Sequence, residues 1–153
     1  MSKKIVAYKY RMYPKEKQRI LLAKTFGCVR YFWNNQVATF KSYNKKTNPK
    51  PKFLSSTELR HNRDWMREIS AGAVQQKEKD FKKYRNQLFN KNRKKKLGFP
   101  SFKKKGNKES FRLPNQKFAI KNGKIRLEKI GWIRIVIDRN IPEYAKLLSV
   151  TIS

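Results

Sequence analysis

The chain has 153 residues, and its 40 Lys and Arg stand against 10 Asp and Glu, a net charge of +30. A compact body with that excess repels itself unless a polyanion neutralises it, so nucleic acid is the leading partner and an anionic membrane surface a distant second. One cysteine, Cys28, one histidine, His61, and no apolar run near the ~20 residues that cross a bilayer exclude an internal disulfide framework, a Cys/His zinc site and a membrane-spanning helix.

Ten Phe, seven Tyr and three Trp separate the chain from a disordered basic tail, which has no core to bury. Cations that track phosphates and rings that stack on bases suit nucleic acid, although each ring can equally serve the core. Residues 3–13 read as a strand that Pro14 stops, opening a helix at a position where a missing N–H costs nothing. Over 15–43 the pattern is helical, with Leu21, Thr25, Cys28 and Phe32 on one stripe and Leu22, Phe26, Val29 and Trp33 on the next. Residues 44–52 form a polar, proline-broken loop. Ser55 and Glu58, at capping-box spacing, then open a second helical segment. A long helix is predicted over 70–95, with Val74, Lys77, Phe81, Tyr84 and Leu88 on a seam that is apolar except at Lys77.

Gly98, Pro100 and Gly106 end the helical pattern, and the period changes to two. Phe118 and Ile120 alternate before Asn122-Gly123, and Ile125 and Leu127 after it, a strong hairpin signal. Ile133, Ile135 and Ile137 mark a further strand, and Leu148, Val150 and Ile152 a last one. Nothing turns or caps that strand, so the chain is expected to be cut from something longer. The expected fold class is α+β: a small β-barrel from 1–13 and 108–153, interrupted by a helical insertion over 14–107.

Catalytic material is scarce. Metal-dependent phosphodiester cleavage needs two or three carboxylates around Mg²⁺. Glu78 and Asp80 point in different directions on a helix. Asp64 and Glu68 could share a face but read as surface charges paired with Arg63 or Arg67. His61 lies among Arg60, Asn62 and Arg63, where a surface or phosphate-facing role fits. No catalytic and no metal-binding residue is expected.

Tyr10-Arg11-Met12-Tyr13-Pro14 with Gln18, followed by Gly27-Cys28-Val29-Arg30-Tyr31-Phe32-Trp33-Asn34, resembles the start of the TnpB/OrfB proteins of bacterial insertion sequences. Leu88-Phe89, Gly98-Phe99-Pro100-Ser101-Phe102-Lys103 and Ile130-Gly131-Trp132-Ile133 extend the likeness across nearly the whole chain. The resemblance implies an RNA-guided DNA nuclease type, related to the Cas12 effectors. In that family a wedge barrel of OB-like form, interrupted by a helical recognition block, precedes a RuvC-like half. Mg and Zn are expected only in that C-terminal half, so no cofactor is expected here. The likeness covers the non-catalytic half, which implies a chain that binds and does not cleave, with the nuclease portion missing or encoded separately. The implied partners are a guide RNA and double-stranded DNA, in a cytoplasmic, nucleoid-associated location.

By position in the family, Ser56 and Gln75 would read a motif flanking the target; Ala71 stands where a relative can carry lysine. A glutamine can also make a bidentate contact to adenine, or be an ordinary polar helix residue. The expected phosphate-binding set is Arg11, Arg30, Lys82, Lys83, Arg85, Lys91, Arg93, Lys94, Lys95, Lys96, Lys103, Lys104 and Lys105. The alternatives are a stand-alone helix-turn-helix regulator reading insertion-sequence ends, and a basic structural RNA-binding protein. The long first helix and the proline-rich loop after it support a free-standing helix-turn-helix poorly.

Overall fold

The structure, a computed structural model, describes residues 4–90 and 98–153. The elements in chain order are β1 (Arg11–Tyr13), α1 (Glu16–Lys41), α2 (Ser56–His61), a 3₁₀ turn (Asp64–Glu68), α3 (Ala71–Leu88), β2 (Phe111–Pro114), a 3₁₀ turn (Asn115–Lys117), β3 (Phe118–Lys121), β4 (Lys124–Leu127), β5 (Gly131–Val136) and β6 (Ser149–Ile152). The α+β class holds. The expected barrel does not: the strands form a four-stranded antiparallel sheet in the order β1-β5-β4-β3 and a separate β2-β6 ladder. Among the described residues no ladder joins β1 or β3 to β2 or β6, so the circuit stays open. Instead of closing, the chain covers β2 with α3 and α1.

β1 is also shorter than expected. Ile5 and Val6 are exposed (87% and 62%), so nothing buries an apolar face there and pairing begins only at Arg11, opposite Val136. The hairpin forms as its turn chemistry requires. Lys121 faces Lys124 across it, and Asn122 and Gly123 both take positive φ (51° and 71°), the geometry of the I′ turn that matches strand twist.

On α1, Leu22, Thr25, Cys28, Val29, Phe32, Gln36 and Val37 are buried, along the two adjacent stripes of the sequence pattern and one turn beyond. Gln18 ties the helix start to the sheet. Its Oε1 accepts the Lys15 N–H (2.9 Å) while its Nε2 donates to the Trp132 carbonyl (2.7 Å). Ser55 caps α2 by accepting the Glu58 N–H (3.1 Å), and Ser70 caps α3 by accepting the Gly72 N–H (3.2 Å).

Two cores result. In one, Leu22 and Val29 of α1 and Ala73 of α3 meet Phe111, Leu113, Phe118, Ile125, Leu127, Ile133, Ile135 and Ile152 from all the later strands. In the other, Cys28 and Phe32 pack on Leu59, Met66, Ile69 and Val74. α3 spans Ala71–Leu88 with Phe89 as its C-cap; positions 91–95 of the expected helix lie outside the described residues.

Candidate nucleic-acid interface

Six of the ten acidic residues bond to groups elsewhere in the fold. Ion pairs join Lys24 to Glu68 (2.8 Å), Arg112 to Asp80 (2.8 Å), Lys117 to Glu128 (3.0 Å), Arg30 to Glu109 and Arg67 to Asp64. Glu78 accepts from both the backbone N–H (2.8 Å) and the hydroxyl (3.2 Å) of Ser56, which fastens α2 to α3. Glu128 also accepts from the Ser70 hydroxyl (2.8 Å). Partial burial pushes its carboxyl up, but the bonds from Ser70 and Lys117 and the Lys117 charge prevail and hold it below the usual carboxylate range. With ten acids against 40 cations, and most of the acids engaged, the outer surface is left cationic.

The outer side of the four-stranded sheet shows this most clearly. Along β4 and β5, Ile125, Leu127, Ile133 and Ile135 turn inward, so the alternate residues Lys124, Arg126, Trp132, Arg134 and Val136 face out. The register puts Lys121 opposite Lys124, Lys124 opposite Arg134, and Arg134 opposite Tyr13. Three like charges therefore stand side by side across adjacent strands, an arrangement that destabilises a sheet when nothing neutralises it. Arg126 faces Trp132 in the neighbouring row, and Arg11 faces Val136. The Arg134 guanidinium lies over the Tyr13 ring, 4.8 Å from its centroid. Cations flanking two half-exposed rings, Tyr13 and Trp132 (43% each), make a stacking surface with phosphate contacts around it. Of the expected phosphate-binding residues, only Arg11 lies here. The alternation of Lys and Arg with apolar residues was visible in the sequence, but the register that aligns them was not.

The second basic surface is the outward side of α3. Gln75, Lys79, Lys82, Lys83 and Asn86 are all exposed and recur at helical spacing along one face. Gln75 bonds to no other described residue, so its amide is free to meet a ligand. Ser56, by contrast, is buried (2%) and held by Glu78, so any part it plays in recognition is exercised from within that bond. Ala71 is half-buried at the start of the helix. Arg85 lies over the Phe53 ring (4.2 Å), and Arg30 is half-buried on Glu109; both are committed to packing as well as carrying charge.

The third surface is the segment 98–105. Asn34 holds it by two bonds: its Nδ2 donates to the Lys103 carbonyl (3.1 Å) and its Oδ1 accepts the Lys103 N–H (2.7 Å). Trp33 donates to the Ser101 carbonyl (3.0 Å), Tyr84 donates to the Gly98 carbonyl, and Lys41 sits over the Phe102 ring (4.5 Å). Lys103, Lys104 and Lys105 are exposed. Lys91, Arg93, Lys94, Lys95 and Lys96 lie outside the described residues.

Among the described residues, no three of His, Cys, Asp and Glu cluster in a way that could hold a metal ion. Asp64 and Glu68 turn to separate partners, as do Glu78 and Asp80. Cys28 is buried (1%), and burial, with Glu68 nearby, pushes its thiol up to about 11. No helix among the described residues is long and apolar enough to cross a membrane.

Residues 1–48 match the family model HTH_OrfB_IS605, described as a helix-turn-helix domain. The chain is also 25% identical over 160 residues to the Escherichia coli (strain K12) protein named "Putative RNA-guided DNA endonuclease InsQ". The chain is thus similar to the N-terminal region of OrfB/TnpB-type proteins. The match covers 97% of the chain and 38% of that relative's length. The OrfB/TnpB-type sequence signals are in contact with one another: Gln18 reaches Trp132 of the Gly131-Trp132 motif, and the Trp33-Asn34 pair grips the 98–103 motif. Among the described residues of the matched segment, 4–48, lie β1, the single helix α1 and a turn closed by an Asn44–Asn48 bridge, not two helices around a tight turn.

Proposed function

We propose that the chain is the nucleic-acid-gripping portion of a TnpB-like, RNA-guided, transposon-associated system, holding a guide-RNA scaffold and the duplex that flanks a target. The observation that carries this is the Lys121–Lys124–Arg134 row beside Tyr13, Arg126 and Trp132. Like charges placed directly opposite one another need a polyanion, and rings among them suit unpaired bases. The sheet face is assigned to RNA. The α3 face is assigned to duplex DNA, with Lys79, Lys82 and Lys83 on phosphates and Gln75 on a base edge. Ser56 acts through Glu78 by setting the angle of α2 on α3. In this reading residues 14–107 form a recognition insertion between strands contributed by 1–13 and 108–153. In this reading these residues bind, and cleavage, together with its Mg and Zn, belongs to a nuclease portion of the TnpB type.

The test is binding of a fluorescent RNA stem-loop and of a DNA duplex, each with and without the other. Duplex binding that strengthens when RNA is present supports the reading. Equal duplex binding with and without RNA favours the stand-alone DNA-binding regulator. Reversing the charge at Lys121, Lys124 and Arg134 together should weaken RNA binding far more than duplex binding.

A further inference from the structure

Trp33 carries two lysines on its ring. Lys77 of α3 places its Nζ 5.9 Å from the ring centroid, and Lys103 of the 98–105 segment places its Nζ at 4.7 Å. Lys77 is 8% exposed. Both amines lie against the same ring, and the Lys103 charge disfavours the charged form of Lys77. No carboxylate among the described residues forms an ion pair with either. Asp80, one turn along α3, is the nearest candidate, and Arg112 occupies it at 2.8 Å. A buried ammonium without a counter-ion is costly, and a second cation on the same ring makes it costlier.

We propose that Lys77 and Lys103 form a seat for one backbone phosphate of a bound nucleic acid, with the Trp33 ring beside it. This rests on the reading that the chain binds nucleic acid. A phosphate presents oxygens to two cations at once and would discharge the repulsion that the fold otherwise bears. Lys104 and Lys105, exposed and next in the chain, are placed to meet phosphates further along the same strand. Asn34 makes the seat rigid by fixing the Lys103 backbone at both its N–H and its carbonyl. Burial, with Lys103 beside it, pulls the Lys77 ammonium down to about 8, against an upward pull from Asp80 and together with a downward push from Arg112. Filling the seat with an anion therefore pushes the Lys77 ammonium back up.

The experiment is a salt titration of the full chain binding a labelled DNA duplex and a labelled RNA stem-loop, with Lys77→Met, Lys103→Met and the double variant. Methionine fills the Lys77 site without charge, and circular dichroism checks that it folds. Each single variant should bind about tenfold or more weakly, and its log–log salt slope should be flatter by about one. The double variant should lose little more than either single, because both remove the same contact. Wild-type affinity and slope in Lys77→Met would overturn the seat while leaving nucleic-acid binding in place. Losses that add fully, with a slope change near two, would also overturn it, since the lysines would then serve separate phosphates. No salt-dependent binding by the wild type would bring down the underlying reading and the seat with it. Should Lys77→Met fail to fold, the wild-type chain with ¹³C-methylated lysines gives the answer: a Lys77 signal unmoved by either nucleic acid overturns the seat. Displacement of both nucleic acids by polyglutamate, with the same dependence on Lys77, would reassign the site to carboxylates.

Discussion

At the scale of single residues, the side chains with functional promise divide by whether the fold already occupies them. Gln75 is unoccupied, and a base-edge contact carries sequence information that a phosphate contact does not. Gln75→Ala should cost about 1–3 kcal/mol on the preferred flanking sequence and little on unrelated duplexes, as read in a randomised-flank selection. Ser56→Ala, which breaks one bond to a carboxylate, should lower thermal stability by about 1–3 kcal/mol. A flanking preference that shifts in Ser56→Ala without any loss of stability would show direct reading by the hydroxyl.

Lys77 gives a pH dependence of known sign. Its value in the fold, about 8, lies below the ordinary 10.5, so between those limits the unfolded chain binds more protons than the folded one. Stability therefore rises with pH across that window, by up to about 1.4 kcal/mol per pH unit from this group. Urea melts of wild type and Lys77→Met at pH 7.5 and 10 should differ by this rise, which the variant lacks. An identical pH profile in both proteins would mean that Lys77 is not depressed.

At the scale of elements, joints between distant motifs hold the functional surfaces in place. Gln18 couples α1 to β5 through the Trp132 carbonyl, and Gly131 beside it takes φ +98°, a conformation that favours glycine. Asn34 couples α1 to the 98–105 segment. Asn34→Ala should accelerate hydrogen exchange at the Lys103 amide while leaving the α3 amides protected, because only the segment loses its anchor. Unchanged exchange at Lys103 would show that Trp33 and Tyr84 suffice. Elements with local signals were legible in the sequence. The Asn122-Gly123 hairpin follows from turn chemistry, and α1 follows from two apolar stripes. β2 was not, because Phe111-Arg112-Leu113-Pro114 is four residues ending in proline, and its pairing with β6 is a long-range event. The apolar Ile5 and Val6 suggested a longer β1, but a strand persists only where something covers it.

At the scale of the whole molecule, a net charge of +30 governs both stability and binding. Neutralising about 6–10 phosphates would make affinity fall by roughly 10³–10⁵ between about 50 and 200 mM salt. The same screening should raise the Tm of the free chain, since self-repulsion weakens as the Debye length shortens. A Tm that falls steadily over the same salt range would show that the internal ion pairs matter more than the surface repulsion.

The amino-acid sequence by itself determined that the protein is basic and folded, with an Asn-Gly turn inside an α+β chain. Composition and local pattern decide those properties without reference to neighbours. Only the tertiary structure decided that the strands stay in two open sheets, that Ser56 belongs to Glu78, and that Lys121, Lys124 and Arg134 line up across three strands. It alone brought Lys77 and Lys103 together on Trp33 from three separate parts of the chain. Electrostatic energy depends on distance and burial, and both are set by register and packing between residues far apart in sequence.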